Sequence, residues 1–164
     1  MGAKAPDFTL PSSAPAAAGD VGKTVSLRDF AGKNVILVFY PADWSAVCGD
    51  ELAVYNEILP MFQKLNAELL AISVDSAFCH QAFKENHGFK MELLADFHPK
   101  GAVAKIYGVY NEKVGFSERA LFVIDKGGVT RYSFISPVEV NPGASEILKT
   151  LKAIENKKGE AQNG

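Results

Sequence analysis

The segment NVILVFYPADWSAVC, residues 34–48, decides how the chain folds. Its first seven residues, Asn34 to Tyr40, form an almost unbroken apolar run rich in β-branched and aromatic side chains, stopped by Pro41. A strand buried on both faces reads this way, so it belongs in the middle of a parallel sheet. Beyond it, Leu52, Tyr55, Leu59, Phe62 and Leu65 recur at helical spacing, with Pro60 inside the pattern to kink or split the helix. Residues 69–74, LLAISV, repeat the buried-strand signature. The helix between the two runs is then the crossover of a parallel βαβ unit.

Further along, Ala77–His87 reads as a short helix closed by Gly88, and His98–Tyr107 as another closed by Gly108. Ala120–Asp125 and Val129–Ile135 flank Lys126-Gly127-Gly128, a β-hairpin with a glycine turn. A helix from about Ala144 to Ile154 follows, with residues 156–164 of the polar tail expected to fray. Toward the N-terminus, Phe8–Leu10 is strand-like, and residues 11–20 read as a surface loop of Ser, Ala, Pro and Gly. A βαβ unit, then a hairpin, then a last helix make one α/β domain over residues 1–164, a central mixed sheet flanked by helices of the thioredoxin-like type.

Composition narrows the partners. Lys+Arg 17 against Asp+Glu 19 leaves no basic surplus to neutralise phosphates, so nucleic acid is excluded as an expectation. No apolar run approaches the ~20 residues of a membrane span. The first twenty residues contain no apolar signal region, and Pro6 stands where a myristoylation signal wants Ser or Thr, so a cytoplasmic, reducing location is expected. A chain of 164 residues buries about 69% of its unfolded surface and needs no staple. Its two cysteines are therefore free for other work.

Cys48 falls between the strand ending near Tyr40 and a helix expected to begin around Gly49. Free backbone N–H groups and the helix dipole favour a thiolate there. Ser45 puts a hydroxyl one turn before the sulfur, and Asp50 and Glu51 lie at the helix start. Taken singly, each has a plain alternative: Cys48 as a small buried apolar residue, Ser45 as a helix cap, Glu51 as part of a capping arrangement.

Together, Pro41 to Cys48, PADWSAVC, fit the pattern P-x-x-x-[ST]-x-x-C. In this the chain resembles the peroxiredoxins, thiol peroxidases of the thioredoxin fold. APDFTL, NVILVFYP, ISVDS, LLADFHPKGAVAKIYGVYNE and ERALFVID resemble the family in the family's order, so the likeness spans nearly the whole chain. It is nearest to the alkyl hydroperoxide reductase E type, with the bacterioferritin comigratory protein type next.

The resemblance implies that Cys48 attacks a small peroxide, Ser45 hydrogen-bonds the peroxide oxygens, Pro41 shields the sulfur, and Arg119 holds thiolate and substrate, with Glu51 in support. It implies no cofactor, a thioredoxin- or glutaredoxin-like thiol reductant, and a monomer or homodimer in which Trp44, Phe78 and Phe97 are candidate interface residues. Ser45 and Trp44 stand where the family usually has Thr and Phe. Ser keeps the hydroxyl, while Trp changes the shape of the pocket mouth. Arg119 also follows from topology. It precedes a strand expected to run antiparallel to its neighbours, and so starts at the edge where strands 34–40 and 69–74 end. Its alternative is a surface ion pair with Glu118 or Glu51. Arg131, Lys33 and His80 have weaker claims.

Cys79 lies on the same edge but not where family members usually carry a resolving cysteine, near Lys84 or Ala53 here. Two schemes stay open: resolution by Cys79 as an intramolecular disulfide, or a one-cysteine cycle reduced by an external thiol. Other classes fit less well. A thioredoxin-like reductase needs C-x-x-C, but Cys48 is followed by Gly49-Asp50-Glu51. A papain-like hydrolase needs a local signature that His80, His87 and His98 do not show, and the cysteines lack paired zinc-ligand spacing. A non-catalytic peroxide sensor or holdase would share the sulfur chemistry and differ in turnover.

Overall fold

The computed structural model describes residues 2–20 and 22–162, with side chains up to residue 157. Strands β1 (Thr9–Pro11) and β2 (Thr24–Ser26) pair antiparallel ahead of the main sheet. Then come β3 (Asn34–Phe39), α1 (Ala46–Glu57), α2 (Leu59–Lys64), β4 (Ala67–Ser73), α3 (Ala77–His87) and β5 (Glu92–Ala95). The second half contains α4 (Ala102–Ile106), the short ribbon β6 (Tyr110–Asn111) and β7 (Phe116–Ser117), the hairpin β8 (Arg119–Ile124) and β9 (Thr130–Ser136), and α5 (Ser145–Gln162).

The main sheet runs β5-β4-β3-β8-β9, with β3, β4 and β5 mutually parallel and β8 and β9 antiparallel to their neighbours. The mixed α/β sheet flanked by helices is as the sequence predicts. β3 is buried at every position, and its alternate side chains serve different cores. Ile36, Val38 and Tyr40 pack with Leu52, Tyr55, Phe62, Phe83 and Leu151 on the side of α1, α3 and α5. Val35, Leu37 and Phe39 pack with Phe8, Leu10, Val25 and Val103 on the other. The period-2 geometry of a strand with both faces covered requires this division. Pro60 splits the first helical stretch, standing in the first turn of α2, where its missing N–H costs nothing.

Four boundaries depart from the sequence pattern. α1 begins at Ala46 with Ser45 as N-cap residue, so Cys48 lies inside the first turn and not ahead of the helix. The helix expected over His98–Tyr107 shrinks to α4, because the Asp96 carboxylate accepts from the backbone N–H groups of Val103 (3.0 Å) and Ala104 (2.9 Å) and fixes its start there. β5 is four residues long, too short for a periodic signature. α5 continues past Ile154 as helical backbone to Gln162, eight residues beyond the end that the pattern suggests; residues 163 and 164 lie outside the described residues. Glu155 ties the helix to the sheet: it accepts from Asn34 Nδ2 (2.9 Å) and pairs with Lys126 (3.1 Å). Among the described residues no helix is long and apolar enough to cross a membrane.

Asn34 also donates to the Leu65 carbonyl (3.0 Å) and so joins β3, the end of α2 and α5 from a fully buried position. Asn34→Ala should lower unfolding free energy by about 1–3 kcal/mol, seen as a reduced urea midpoint at unchanged slope.

Candidate active site

The sheet's directions bring the site together. β3 and β4 run toward the edge from which β8 departs, and the Phe39–Ala120 pairing sets Arg119 one residue beyond, level with Tyr40. The chain leaves β3 through Pro41, which is buried, and enters α1 through Ser45. Cys48, third residue of α1, is then carried over the β8 start.

Arg119 and Cys48 touch: the guanidinium Nη2 donates to Cys48 Sγ at 3.3 Å. Its Nη1 donates to Glu51 Oε1 at 2.8 Å, and its Nε and Nη2 both donate to the Val138 carbonyl at 3.0 and 2.7 Å. Cys48, Glu51 and Arg119 are all fully buried, which rules out the surface ion pair as the role of Arg119. Burial opposes the guanidinium's charge, but Cys48 and Glu51 outweigh it and hold Arg119 above its ordinary range. Tyr55, one turn after Glu51, places its hydroxyl 3.0 Å from Glu51 Oε2 and 3.0 Å from the Gly143 carbonyl.

Ser45 is half-buried, and its hydroxyl makes no capping hydrogen bond. The N–H groups of the first turn thus keep no side-chain acceptor from Ser45, and its hydroxyl is free for a ligand. The loop before it is held tightly. Tyr40 OH donates to Asp43 Oδ1 (2.6 Å), His80 Nδ1 lies 2.7 Å from Asp43 Oδ2, and the Asp43 N–H donates to Asp75 (2.8 Å). His80 Nε2 faces the Leu94 carbonyl at 3.0 Å. These bonds keep Trp44 at φ 69°, a left-handed conformation that costs a bulky residue on the order of 1–3 kcal/mol. Its ring packs edge-on to Phe83.

His80 therefore belongs to the loop support and not to the sulfur. Arg131 pairs with Asp125 and Lys33 with Glu68, both away from the site. The sequence reading passed over Tyr55 as a binding group, although its i,i+4 spacing from Glu51 puts both on one helix face. The Val138 carbonyl had no residue-type signal at all.

Cys79 keeps different company. It is a free thiol in the first turn of α3, with Sγ 4.0 Å from Asp75 Oδ1. Burial first, then the charges of Asp43 and Asp75, push it up to about 11, with a Trp44 hydrogen bond pulling the other way. Asp43, Asp75 and Cys79 bring one ligand atom each within 4.8 Å of one another. The carboxylates already accept from Tyr40, Ser73 and the Asp43 N–H, so a cation there would compete with protein donors.

Residues 1–133 match the AhpC/TSA family. The chain belongs to that family, the peroxiredoxins. It is 40% identical over 134 residues to alkyl hydroperoxide reductase E of Mycobacterium tuberculosis, covering 81% of this chain and 83% of that one. To thioredoxin peroxidase of Echinococcus granulosus it is 37% identical over 169 residues, 98% and 84% of the two chains. The crystal structure of Enterococcus faecalis AhpC superimposes with a TM-score of 0.85 at 31% identity, over 98% of this peroxiredoxin and 95% of that chain.

Two outcomes are expected of the site. Ser45→Ala should slow Cys48 oxidation by peroxide about tenfold or more while the melting temperature moves little, because the hydroxyl does not cap α1; equal damage to rate and melting would return Ser45 to a capping role. In Cys48→Ser, where Cys79 is the sole thiol, alkylation should rise with pH toward about 11. A midpoint near that of a free thiol, about 8.5, would mean that neither burial nor the Asp43 and Asp75 charges act on it.

Proposed function

We propose that this thiol-dependent peroxidase reduces hydroperoxides at Cys48 and is returned to the thiol by an external reductant. The contact between Arg119 Nη2 and Cys48 Sγ, in the first turn of α1, carries the reading. A fixed cation and a helix start both favour the thiolate, the attacking species. The sulfur's electron pair forms an S–O bond with the terminal, hydrogen-bearing oxygen of the hydroperoxide, the O–O bond breaks, and the other oxygen leaves as alcohol or water after taking a proton. Charge grows on that oxygen during the step, and Arg119 with the Ser45 hydroxyl supplies preorganised donors for it. Pro41 is buried, has no backbone N–H, and in this reading shields the sulfur from water. Glu51 and Val138 fix the guanidinium.

Resolution by an external thiol is favoured because Cys79, held up at about 11, is almost entirely the unreactive thiol at neutral pH. A thioredoxin- or glutaredoxin-like protein condenses with the sulfenic acid, releasing water, and a second thiol frees Cys48. The competing intramolecular disulfide is supported by one feature: both cysteines follow strands, β3 and β4, that end at the same sheet edge. We also propose a homodimer surface at Trp44, Phe78 and Phe97, which are 53%, 63% and 56% exposed.

Peroxide consumption with a thiol reductant tests this. Wild type should turn over many equivalents per subunit, Cys48→Ser should fall below a few per cent while remaining folded, and Cys79→Ser should keep the wild-type rate. Consumption of one equivalent only would point to a sensor, and a Cys48–Cys79 linked peptide after one equivalent of peroxide would restore the disulfide scheme.

A further inference from the structure

The buried cluster contains two acids and one cation. Cys48, Glu51 and Arg119 have 0% exposure, so bulk water screens none of them. Among the described residues Arg119 is the only cation in contact with either acid. With the thiolate and the carboxylate both ionised, the cluster would carry a net negative charge in a medium that penalises it.

The hydrogen count points the same way. Tyr55 has one hydroxyl hydrogen and two neighbours at 3.0 Å, Glu51 Oε2 and the Gly143 carbonyl. A carbonyl only accepts, and so does an ionised carboxylate, so with Glu51 ionised one of these short contacts lacks a hydrogen. A proton on Oε2 completes both: the carboxyl donates to Tyr55, Tyr55 donates to Gly143, and Oε1 still accepts from Arg119.

We propose that Cys48 and Glu51 share a single negative charge above Arg119, with Glu51 holding the proton while Cys48 is the thiolate and releasing it as Cys48 becomes sulfenic acid. The inference rests on Cys48 being the residue that peroxide oxidises. Thiolate, hydroperoxide and the Glu51 carboxylic acid become sulfenic acid, alcohol and the Glu51 carboxylate: the S–O bond forms, the O–O bond breaks, and the proton that the departing oxygen takes up is balanced by the one Glu51 loses. Glu51 does not touch the peroxide. It acts through Arg119 as a positioning and charge-compensating residue.

The groups facing it are Cys48 and Tyr55 from α1, Arg119 from β8, and the Val138 and Gly143 carbonyls acting on Arg119 and Tyr55; Tyr132 of β9 acts on Tyr55. Burial pushes the Glu51 carboxyl above its ordinary range against the pull of Arg119 and Tyr55.

The test uses the reduced full-length protein at neutral pH in weak buffer, treated with one equivalent of hydrogen peroxide. Thiolate ultraviolet absorbance is recorded before oxidation. Difference infrared follows the protonated-carboxyl stretch, an indicator dye follows proton uptake, and peptide mass spectrometry locates the added oxygen. Wild type should show the thiolate and lose a carboxylic-acid band on oxidation. Glu51→Gln, whose amide can donate to Tyr55 and accept from Arg119 as the neutral acid does, should keep the thiolate, show no such band, and take up about one more proton per sulfenic acid than wild type. Equal uptake in the two proteins, a thiolate without an acid band, or a reduced protein with no thiolate signal overturns the shared charge. Oxygen found elsewhere than on Cys48 overturns the peroxidase reading as well, whereas oxygen on Cys48 with any of those three results overturns this inference alone.

Discussion

A guanidinium buried at the edge of a mixed sheet where its parallel strands end is expensive to keep, and Arg119 is kept there by three kinds of acceptor at once. The Glu51 carboxyl, the Val138 carbonyl and the Cys48 sulfur come from α1 and from the segment after β9. Removing one partner of such a buried group commonly costs about 3–5 kcal/mol, so the site and the local fold stand together. The same contacts define the proposed chemistry: a cation that cannot leave lies against a sulfur at a helix start, where an anion is favoured.

Everything that fixes Arg119 follows from strand direction. β3 and β4 are parallel and end at one edge; β8 is antiparallel and begins there. Reversing β8 would carry Arg119 to the opposite end of the sheet. The loop from Tyr40 to Ser45 is the second constraint, since it must turn from β3 into α1 within a few residues while presenting Pro41 and Ser45. The buried Tyr40–Asp43–His80 bonds and the Asp43–Asp75 contact hold it, offsetting the left-handed Trp44. Burial first, and then the same carboxylates, push the Cys79 thiol up, so one acidic pair both shapes the loop and helps to quiet the second thiol.

Much of this was legible in sequence, for identifiable reasons. The runs at 34–40 and 69–74 announce strands buried on both faces because no polar residue alternates within them, and Gly127-Gly128 announces the hairpin. Pro41, Ser45 and Cys48 share one short segment, and Arg119 could be reached from topology. What escaped depends on atoms that leave no trace in residue type. The Val138 and Gly143 carbonyls are backbone, and any side chain there would supply them. The Asp43–His80 contact joins two elements far apart in sequence. Tyr55 counted as one apolar position of a helical face, because spacing reports its ring and not its hydroxyl. The helix start moved from Gly49 to Ala46 because Ser45, extended at φ −68° and ψ 134°, opens the helix without a side-chain cap.

The central claim is that Arg119 serves the peroxide as well as the thiolate, and one comparison isolates that. Arg119→Lys keeps the positive charge but loses the fork that reaches Cys48, Glu51 and Val138 together. Rates of Cys48 reaction are measured in wild type and variant with hydrogen peroxide and with a neutral alkylating agent, which needs the thiolate but has no departing oxygen to stabilise. The expected result is a fall of about 10- to 1,000-fold with peroxide beside a change of only a few fold with the alkylating agent. Equal falls with both reagents would contradict it, leaving Arg119 as a support for the thiolate alone.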